Sequence, residues 1–307
     1  MYFPYLRGKQ FEMLALLGVP MSTYNTMLPI VEHVAPASSR FFTRMAQEGR
    51  PFILIMNPYH PRGSGRISIG TVQALLVGAL AAHTGLHLGY IVDQHASSAQ
   101  LQAFLAANPT NEKAVIFRHM PLPANMAAID AILKANPPKY LIFDETKSRR
   151  LRPALSWHKG HVMLVDGFER QERNSDYPTL SNFESNVGTW RADGLVGMGD
   201  YLINGDHFSE GGGQPKVVTL HLSAASPTGL VMNHYSSTMN ASIQGTPGPK
   251  FGQACNDLVN SASVAAMPSS TGIAMFQQWD AANHYPGLGS PKQASMQHHM
   301  ELLAQLV

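Results

Sequence analysis

The sequence lacks features that several classes of protein require. Cys255 is the only cysteine among 307 residues, which excludes an intrachain disulfide and a cysteine-based zinc site. Charged residues make up only 14% of the chain and its net charge is +2, so no global attraction to nucleic acid or to a membrane surface is indicated. No run of 18 or more apolar residues occurs, and no membrane span is predicted. The opening residues, MYFPYLRGKQ, lack the pattern of a secretory signal, and a cytoplasmic location is expected.

Several phosphate-binding and nucleophile motifs are also missing. Gly8 is the only glycine in YLRGKQFE, after the first apolar run, so the glycine-rich fingerprint of a dinucleotide-binding fold is absent there. GGGQP (residues 211–215) lacks the lysine and hydroxyl group of a Walker loop, and no G-x-S-x-G elbow occurs. Function must therefore be inferred from the pattern of the fold and from individual polar residues.

Short apolar runs alternate with helical segments through the first half of the chain. These runs are nearly continuous in hydrophobicity, as strands buried on both faces should be. They cover Tyr2–Leu6, Met27–Val34, Pro51–Asn57, Leu86–Asp93, Lys113–His119, Lys139–Glu145 and His161–Gly167. An eighth strand could come from Asp193–Leu202 or from Lys216–Ser223. The pattern predicts an α/β fold of the (β/α)8, TIM-barrel-like type, with an open doubly wound sheet as the alternative.

The helices and the last third of the chain follow from similar patterns. Thr71–Tyr90 is the most apolar segment and predicts a buried helix followed by a strand. Glu169–Trp190 is polar and aperiodic, and Lys216–Ser237 predicts a hairpin that turns at Ser226–Gly229. We expect one domain over residues 1–307, elaborated by an irregular insertion and hairpin region at 168–237 and by C-terminal helices at 248–307.

Polar side chains recur where the predicted strands end. In a barrel these ends form one edge, where active sites lie. The strand ends carry Glu32, Asn57, Asp93, Arg118, His119, Asp144, Glu145 and Asp166, and Asp200 would end the last strand. Carboxylates there could hold a divalent cation or act as acid and base. The catalytic candidates are Glu32, Asp93, Asp144, Asp166 and Asp200, with Glu32, Asp144 and Asp166 as metal candidates. The competing interpretation is that these residues only cap and solubilise the strand ends.

A second set of residues is predicted to bind a ligand. It comprises Asn57, Arg118, His119, Gly211, Gly212, Gly213 and His221. The three glycines permit positive φ and a close approach of the backbone, and they lie in the irregular stretch from Asp193 to Pro215. We expect this stretch to leave the last barrel strand and fold over the edge where the acidic residues collect.

The strongest local concentration of positive charge is KSRRLRP, Lys147 to Pro153. It contains Lys147, Arg149, Arg150 and Arg152. Such a patch could contact nucleic acid, and an ordinary solvated turn is the alternative.

Four stretches of the chain resemble the bacterial sce7725 family. They are MYFPYLRGKQFE with LPIVEHV, VDGFERQERNSDYP, DGLVGMGDYLINGDHFSEGGGQPKVVTLHL and HYPGLGSPKQASMQHHMELL. The similarity extends over nearly the whole chain. The opening segment also resembles, over a shorter stretch, the beta-protein family of phage-related proteins.

The resemblance implies a barrel-like fold but no established activity. Members of the sce7725 family are typically encoded beside a sce7726-type protein, which resembles PD-(D/E)XK nucleases. Paired genes of this sort imply a two-component antiviral defence system or a mobile-element system. Two hypotheses follow: a scaffold that binds or senses a partner or ligand, and a metal-dependent hydrolase acting on a phosphate ester or nucleotide. The sequence leaves open whether the protein is an enzyme.

Overall fold

The computed structural model describes residues 1–34, 39–60, 67–184, 187–207, 215–227, 229–238 and 246–307. The residue contacts divide the chain into two compact units. Unit 1 contains Met1–Gln10, Thr26–Asp166 and Thr189–Asp200, and unit 2 contains Phe11–Asn25, Gly167–Gly188 and Tyr201–Val307. Strands and helices are numbered in chain order through both units.

Unit 1 is built on eight parallel strands. They are β1 (Tyr5–Leu6), β2 (Ile30–Val31), β3 (Phe52–Ile55), β4 (Leu86–Val92), β5 (Lys113–Phe117), β6 (Tyr140–Asp144), β7 (His161–Val165) and β9 (Gly197–Asp200), with β8 (Leu180–Glu184) belonging to unit 2. Each strand is hydrogen-bonded to the next in this order. Tyr2 forms parallel bridges to both Met27 and Met198, which brings the two edges of the sheet together. The predicted TIM-barrel-like fold is therefore confirmed as a nearly closed parallel barrel.

The strands form because their side chains are apolar on both faces. All residues of β3, β5 and β7 are buried, as expected for strands with a packed barrel interior on one side and covering elements on the other. The seven predicted strands are present with shorter bounds. The eighth is β9, from the first of the two alternatives, and Asp200 is its last residue, as predicted.

Four helices follow strands within unit 1: α2 (Ser39–Gln47), α3 (Ile69–Val77), α4 (Ser98–Ala106) and α5 (Pro123–Ala135). The Ser68 and Ser97 side chains cap α3 and α4 by accepting backbone N–H bonds. The prediction that the helix near Thr71 is buried was wrong, because Val72 is the only buried residue of α3. Hydrophobicity predicts this helix, but which neighbours cover it depends on the tertiary structure.

Unit 2 combines an antiparallel sheet with helices. Its sheet has the order β10 (Thr219–Ser226), β11 (Gly229–Ser236) and β8. The hairpin β10–β11 is confirmed, whereas β8 lies in the segment predicted to be irregular. The helices are α1 (Gln10–Gly18, in this unit from Phe11), α6 (Pro247–Val259), α7 (Ala262–Ala265), α8 (Thr271–Ala281) and α9 (Gly289–Leu306). Leu220 and Leu222 of β10 pack with residues of α6, α7, α8 and α9 in one hydrophobic core.

Within the described ranges, no helix combines the length and the apolar character that crossing a membrane would require.

Candidate functional site

A buried carboxylate organises the carboxyl-terminal edge of the first barrel strands. Glu32, the residue after β2, is fully buried, and its Oε2 accepts a hydrogen bond from the Tyr5 hydroxyl at 2.9 Å. The same oxygen lies 3.1 Å from Nδ1 of His60. Oε1 accepts the backbone N–H groups of Tyr59 and His60. Both oxygens of Glu32 therefore have protein donors.

These contacts determine the charge of Glu32 and the tautomer of His60. Burial raises the pKa of the Glu32 carboxyl, but the hydrogen bonds and charge of His60 and the Tyr5 hydroxyl outweigh it, so the pKa lies below its usual value. An ionised carboxylate only accepts hydrogen bonds, so the proton between the two groups belongs to Nδ1 of His60. Glu32 consequently fixes the orientation of the imidazole, as a carboxylate does in catalytic and metal-binding pairs.

Arg118 and His119 extend this cluster from the end of β5. The Arg118 guanidinium is almost fully buried and lies 5.1 Å from the centre of the Tyr59 ring and 5.7 Å from that of Tyr5. The Tyr59 ring centre lies 4.9 Å from that of His60 and 6.4 Å from that of His119. A cation over aromatic rings beside a carboxylate–imidazole pair forms a preorganised polar surface. We call Tyr5, Glu32, Tyr59, His60, Arg118 and His119 the Glu32 cluster.

Glycine 8 allows the chain after β1 to approach Glu32. Its φ is +61°, in the left-handed region that favours glycine. A Cβ atom at this position would lie 2.8 Å from the Glu32 carbonyl oxygen. Gly8 is therefore not part of a dinucleotide-binding motif; its role is to let the backbone pass close to Glu32.

Asp144 and Asp200 are also buried, and each accepts hydrogen bonds from residues outside the Glu32 cluster. Asp144 Oδ1 accepts the Thr146 N–H, the Thr146 hydroxyl and the Lys147 N–H at 2.9–3.1 Å. Its Oδ2 lies 3.4 Å from Lys147 Nζ. Asp200 accepts the Tyr2 hydroxyl at 2.8 Å. The bonds of Asp144 to backbone N–H groups are of the capping type that the sequence offers as the alternative to catalysis.

The remaining predicted strand-end residues are less enclosed. Asp93 accepts the backbone N–H of His95 at 2.8 Å, which forms a turn at the end of β4, and Asp166 is exposed. The Asn57 amide binds both backbone groups of Ile91, at 2.9 and 2.8 Å. Asn57 therefore continues the ladder between β3 and β4 with its side chain.

The carboxylates of the described residues do not assemble into a metal-binding group. In the part of the chain that the structure describes, no three His, Cys, Asp or Glu side chains are arranged to hold a metal ion. Glu32, Asp144 and Asp166 are all described, so these three predicted candidates do not form such a group. Gly211, Gly212 and Gly213 lie outside the described residues.

His221 belongs to unit 2, where it pairs with another histidine. Its Nδ1 lies 2.7 Å from Nδ1 of His234, and His234 Nε2 lies 2.9 Å from the Ser181 hydroxyl. Burial, followed by the charges of His234 and Lys292, lowers the pKa of His221 to about 3. Burial also lowers the pKa of His234 to about 4, so both imidazoles are neutral near pH 7. One ring must then donate its Nδ1 proton to the other.

Sequence reasoning missed Tyr5, Tyr59 and His60, the three side chains that complete the Glu32 cluster. Tyr5 lies within β1, and Tyr59 and His60 lie in the loop after β3, beyond the strand-end residue Asn57. The sequence signal that could have identified them is that two tyrosines and a histidine lie next to strands whose carboxyl ends come together at one end of the barrel. Their convergence on Glu32 depends on loop geometry.

Comparison of the chain with protein-family models, with curated proteins and with solved structures finds no match.

Proposed function

We propose that the protein is a barrel scaffold that binds or senses a ligand and works with a nuclease-like partner in a two-gene bacterial defence system. The single observation that carries the binding role is the Glu32 cluster, in which a buried arginine and a carboxylate-oriented histidine surround two tyrosine rings. Groups held in this way recognise a ligand without a further cost of ordering their side chains.

The state of the buried acids favours binding over metal-dependent hydrolysis. Both oxygens of Glu32 and both oxygens of Asp144 have donors from the protein itself. A carboxylate that already accepts such bonds must lose them before it can ligate Mg²⁺ or Ca²⁺. The barrel mouth therefore offers fixed polar contacts, and its acids stabilise the strand ends.

The identity of the partner rests on the resemblance to the sce7725 family alone. Members of that family are encoded beside sce7726-type proteins, so the partner expected here is a nuclease-like protein of that type. Any contact with nucleic acid would be made by this partner or through the basic residues Lys147, Arg149, Arg150 and Arg152.

Co-expression with the neighbouring nuclease-like protein tests the proposal. We expect the two proteins to co-purify and to restrict phage growth together. Arg118→Gln and His60→Gln should abolish restriction while the complex still forms, whereas Arg40→Gln, which changes an exposed arginine, should leave restriction intact. Failure of the proteins to co-purify and to act together would refute the partner role, and full restriction by both cluster variants would refute the ligand-binding role.

The same preparations test the hydrolase hypothesis. Metal analysis of the purified complex would show a stoichiometric divalent ion if that hypothesis were correct. Phosphate-ester hydrolysis would then disappear in the Asp144→Ala, Asp166→Ala double variant with folding intact. We expect neither result.

A further inference from the structure

A second polar site lies in unit 1, at the end of the barrel where β7 begins. It is a cavity of about 370 Å³, within the size range of small-molecule sites. Six of the eight residues that line it have polar side chains: Arg149, Arg152, Ser156, His158, Lys159 and His161. No aspartate or glutamate is among the lining residues. Among the described residues the lining therefore has three permanent positive charges and no carboxylate of its own, while the carboxylates of Glu145 and Asp193 act on Arg149 and Arg152 from outside it.

The connection between β6 and β7 builds this cavity. Two short 3-10 helices, Arg149–Leu151 and Pro153–Leu155, occupy the place where a βα unit normally has its longer helix. The following turn leads to His161, the first residue of β7, and Gly194 lines the cavity three residues before β9. The cavity thus lies near the amino-terminal ends of two neighbouring strands, away from the strand ends that carry the Glu32 cluster.

Hydrogen bonds hold the two histidines of the cavity lining in fixed orientations. His158 Nδ1 accepts the Gly160 N–H at 3.0 Å, and its Nε2 donates to the Pro138 carbonyl at 2.6 Å. His161 Nε2 donates to the Leu155 carbonyl at 3.1 Å. Burial is the largest cause that lowers the pKa of His161 to about 4, and the charges of Arg152, His158 and Lys159 act in the same direction. The positive character of the cavity therefore comes from its arginines and its lysine.

Arg152 is the central cation. One edge of its guanidinium donates to the Asp193 carbonyl at 2.8 Å. Burial lowers the pKa of Arg152 and the charge of Arg149 acts in the same direction, whereas the charge of Asp193 acts against them. The Nε atom of Arg152 is buried and has no hydrogen-bond partner among the described residues. Leaving such a buried donor unsatisfied is unfavourable.

Arg149 and Lys159 are placed at the exposed rim. Arg149 contacts Glu145 at 3.6 Å, in a pair whose arginine side chain is 62% exposed. An exposed ion pair of this kind contributes little free energy, so Arg149 can leave Glu145 and bind an anion instead at little energetic cost. Lys159 is exposed as well. Two exposed cations near an arginine that a carbonyl group holds suit an oxyanion that has several acceptor oxygens.

We infer that this cavity is a binding site for a small ligand carrying a phosphate or polyphosphate group, of nucleotide size or smaller. The Arg152 guanidinium and the Lys159 ammonium group bind the phosphate oxygens, Arg149 closes over them, and the Ser156 hydroxyl supplies a neutral donor. The site is separate from the Glu32 cluster and does not depend on the proposed role of that cluster.

The structure distinguishes this site from a general basic surface. Of the four cations in KSRRLRP, Arg149 and Arg152 line the cavity, whereas Lys147 contacts Asp144 and Arg150 is exposed outside the lining. Arg150 therefore provides a matched control. It carries the same charge in the same short helix as Arg149, but it does not line the cavity.

Calorimetric titration of the full chain with inorganic pyrophosphate tests the inference. We expect saturable binding that Lys159→Gln and Arg152→Gln each weaken by about tenfold or more, since each removes a charge-assisted contact. Arg150→Gln should change the affinity by less than about twofold, as expected for a surface charge. Lys159 makes no structural hydrogen bond among those described, so its variant keeps the test valid if Arg152→Gln impairs folding, which circular dichroism would reveal.

Three outcomes would overturn the inference. The first is no heat of binding at millimolar pyrophosphate. The second is an equal loss of affinity in Arg150→Gln and Lys159→Gln, which would indicate attraction to the basic surface as a whole. The third is binding of a single-stranded oligonucleotide but not of pyrophosphate, which would indicate a nucleic-acid surface.

Discussion

Nδ1 of His60 lies 3.1 Å from Oε2 of Glu32, and the Tyr5 hydroxyl donates to the same oxygen. The carboxylate therefore links three segments of unit 1: β1, the end of β2 and the loop after β3. Because Glu32 is fully buried, its charge is compensated by these donors and not by water.

Replacing this carboxylate tests its role in the fold. We expect Glu32→Gln to lower the free energy of unfolding by about 2–4 kcal/mol, because the amide NH2 group faces donors and loses the charge-assisted bonds. Urea unfolding followed by circular dichroism measures the change. Glu112→Gln is the control: Glu112 contacts Lys139 at 3.5 Å in a pair whose two side chains are both exposed, and such pairs contribute about 0–1 kcal/mol. Equal effects of the two changes would contradict the assignment.

Asn57 offers a second test, because its amide replaces a backbone pair. We expect Asn57→Asp to destabilise unit 1 by about 1–3 kcal/mol, since an oxygen replaces the Nδ2 donor that faces the Ile91 carbonyl. Denaturant unfolding would show the loss. Asn125→Asp, at the first turn of α5, changes the same groups where a negative charge is favourable, and it should be neutral or stabilising. A neutral result at Asn57 would mean that its two bonds to Ile91 carry no net stability.

The histidine pair of unit 2 predicts a stability that depends on pH. The pKa of His221 is lowered to about 3 and that of His234 to about 4, both from an ordinary value of 6.5. Below that ordinary value the unfolded chain binds protons that the folded chain does not, so acid favours unfolding. The stability is fully present above about pH 6.5 and is lost as the pH falls through the two folded pKa values.

Urea unfolding at several pH values between about 7 and about 4 measures this slope. The His221→Gln, His234→Gln double variant should show a shallower slope, whereas His284→Gln, at an exposed histidine, should keep the original one. Part of the slope should persist in the double variant, because burial also lowers the pKa of His298 to about 4. An unchanged slope in the double variant would refute the prediction.

Two glycines predict opposite effects of the same substitution. A Cβ atom at Gly199 would collide with the Phe3 carbonyl oxygen, where β9 meets the start of the chain and closes the barrel. We expect Gly199→Ala to cost about 3 kcal/mol or more, because backbone must move. Gly252, inside α6, has open space around it, and Gly252→Ala should stabilise the protein by about 1 kcal/mol through helix propensity. Thermal unfolding of both variants tests the pair, and the same sign for both would contradict the account of barrel closure.

The alternation of apolar runs and helical segments was sufficient to predict the barrel. Runs such as PFILIMN must be covered on both faces, and repeated βα units leave few arrangements that achieve this. The segment Leu180–Glu184 was not predicted as a strand, because its register with β11 depends on residues about fifty positions away. Its sequence contains no local turn that would fix the pairing.

The candidate site likewise has a part that the sequence predicts and a part that only the tertiary structure decides. The sequence by itself determined that Glu32 and Asp144 would come at the carboxyl ends of barrel strands, because the hydrophobic runs end there, whereas for Asp200 the structure had to decide between two candidate strands. Only the tertiary structure decided that Tyr5 and His60 bind Glu32, since these contacts depend on how the loops fold over the strand ends. Likewise, KSRRLRP has four cations within seven residues, but only the path of the chain between β6 and β7 brings Arg149 and Arg152 to the lining of one cavity. Local patterns of hydrophobicity specify strands, whereas distances between side chains from separate strands depend on the packing of the whole barrel.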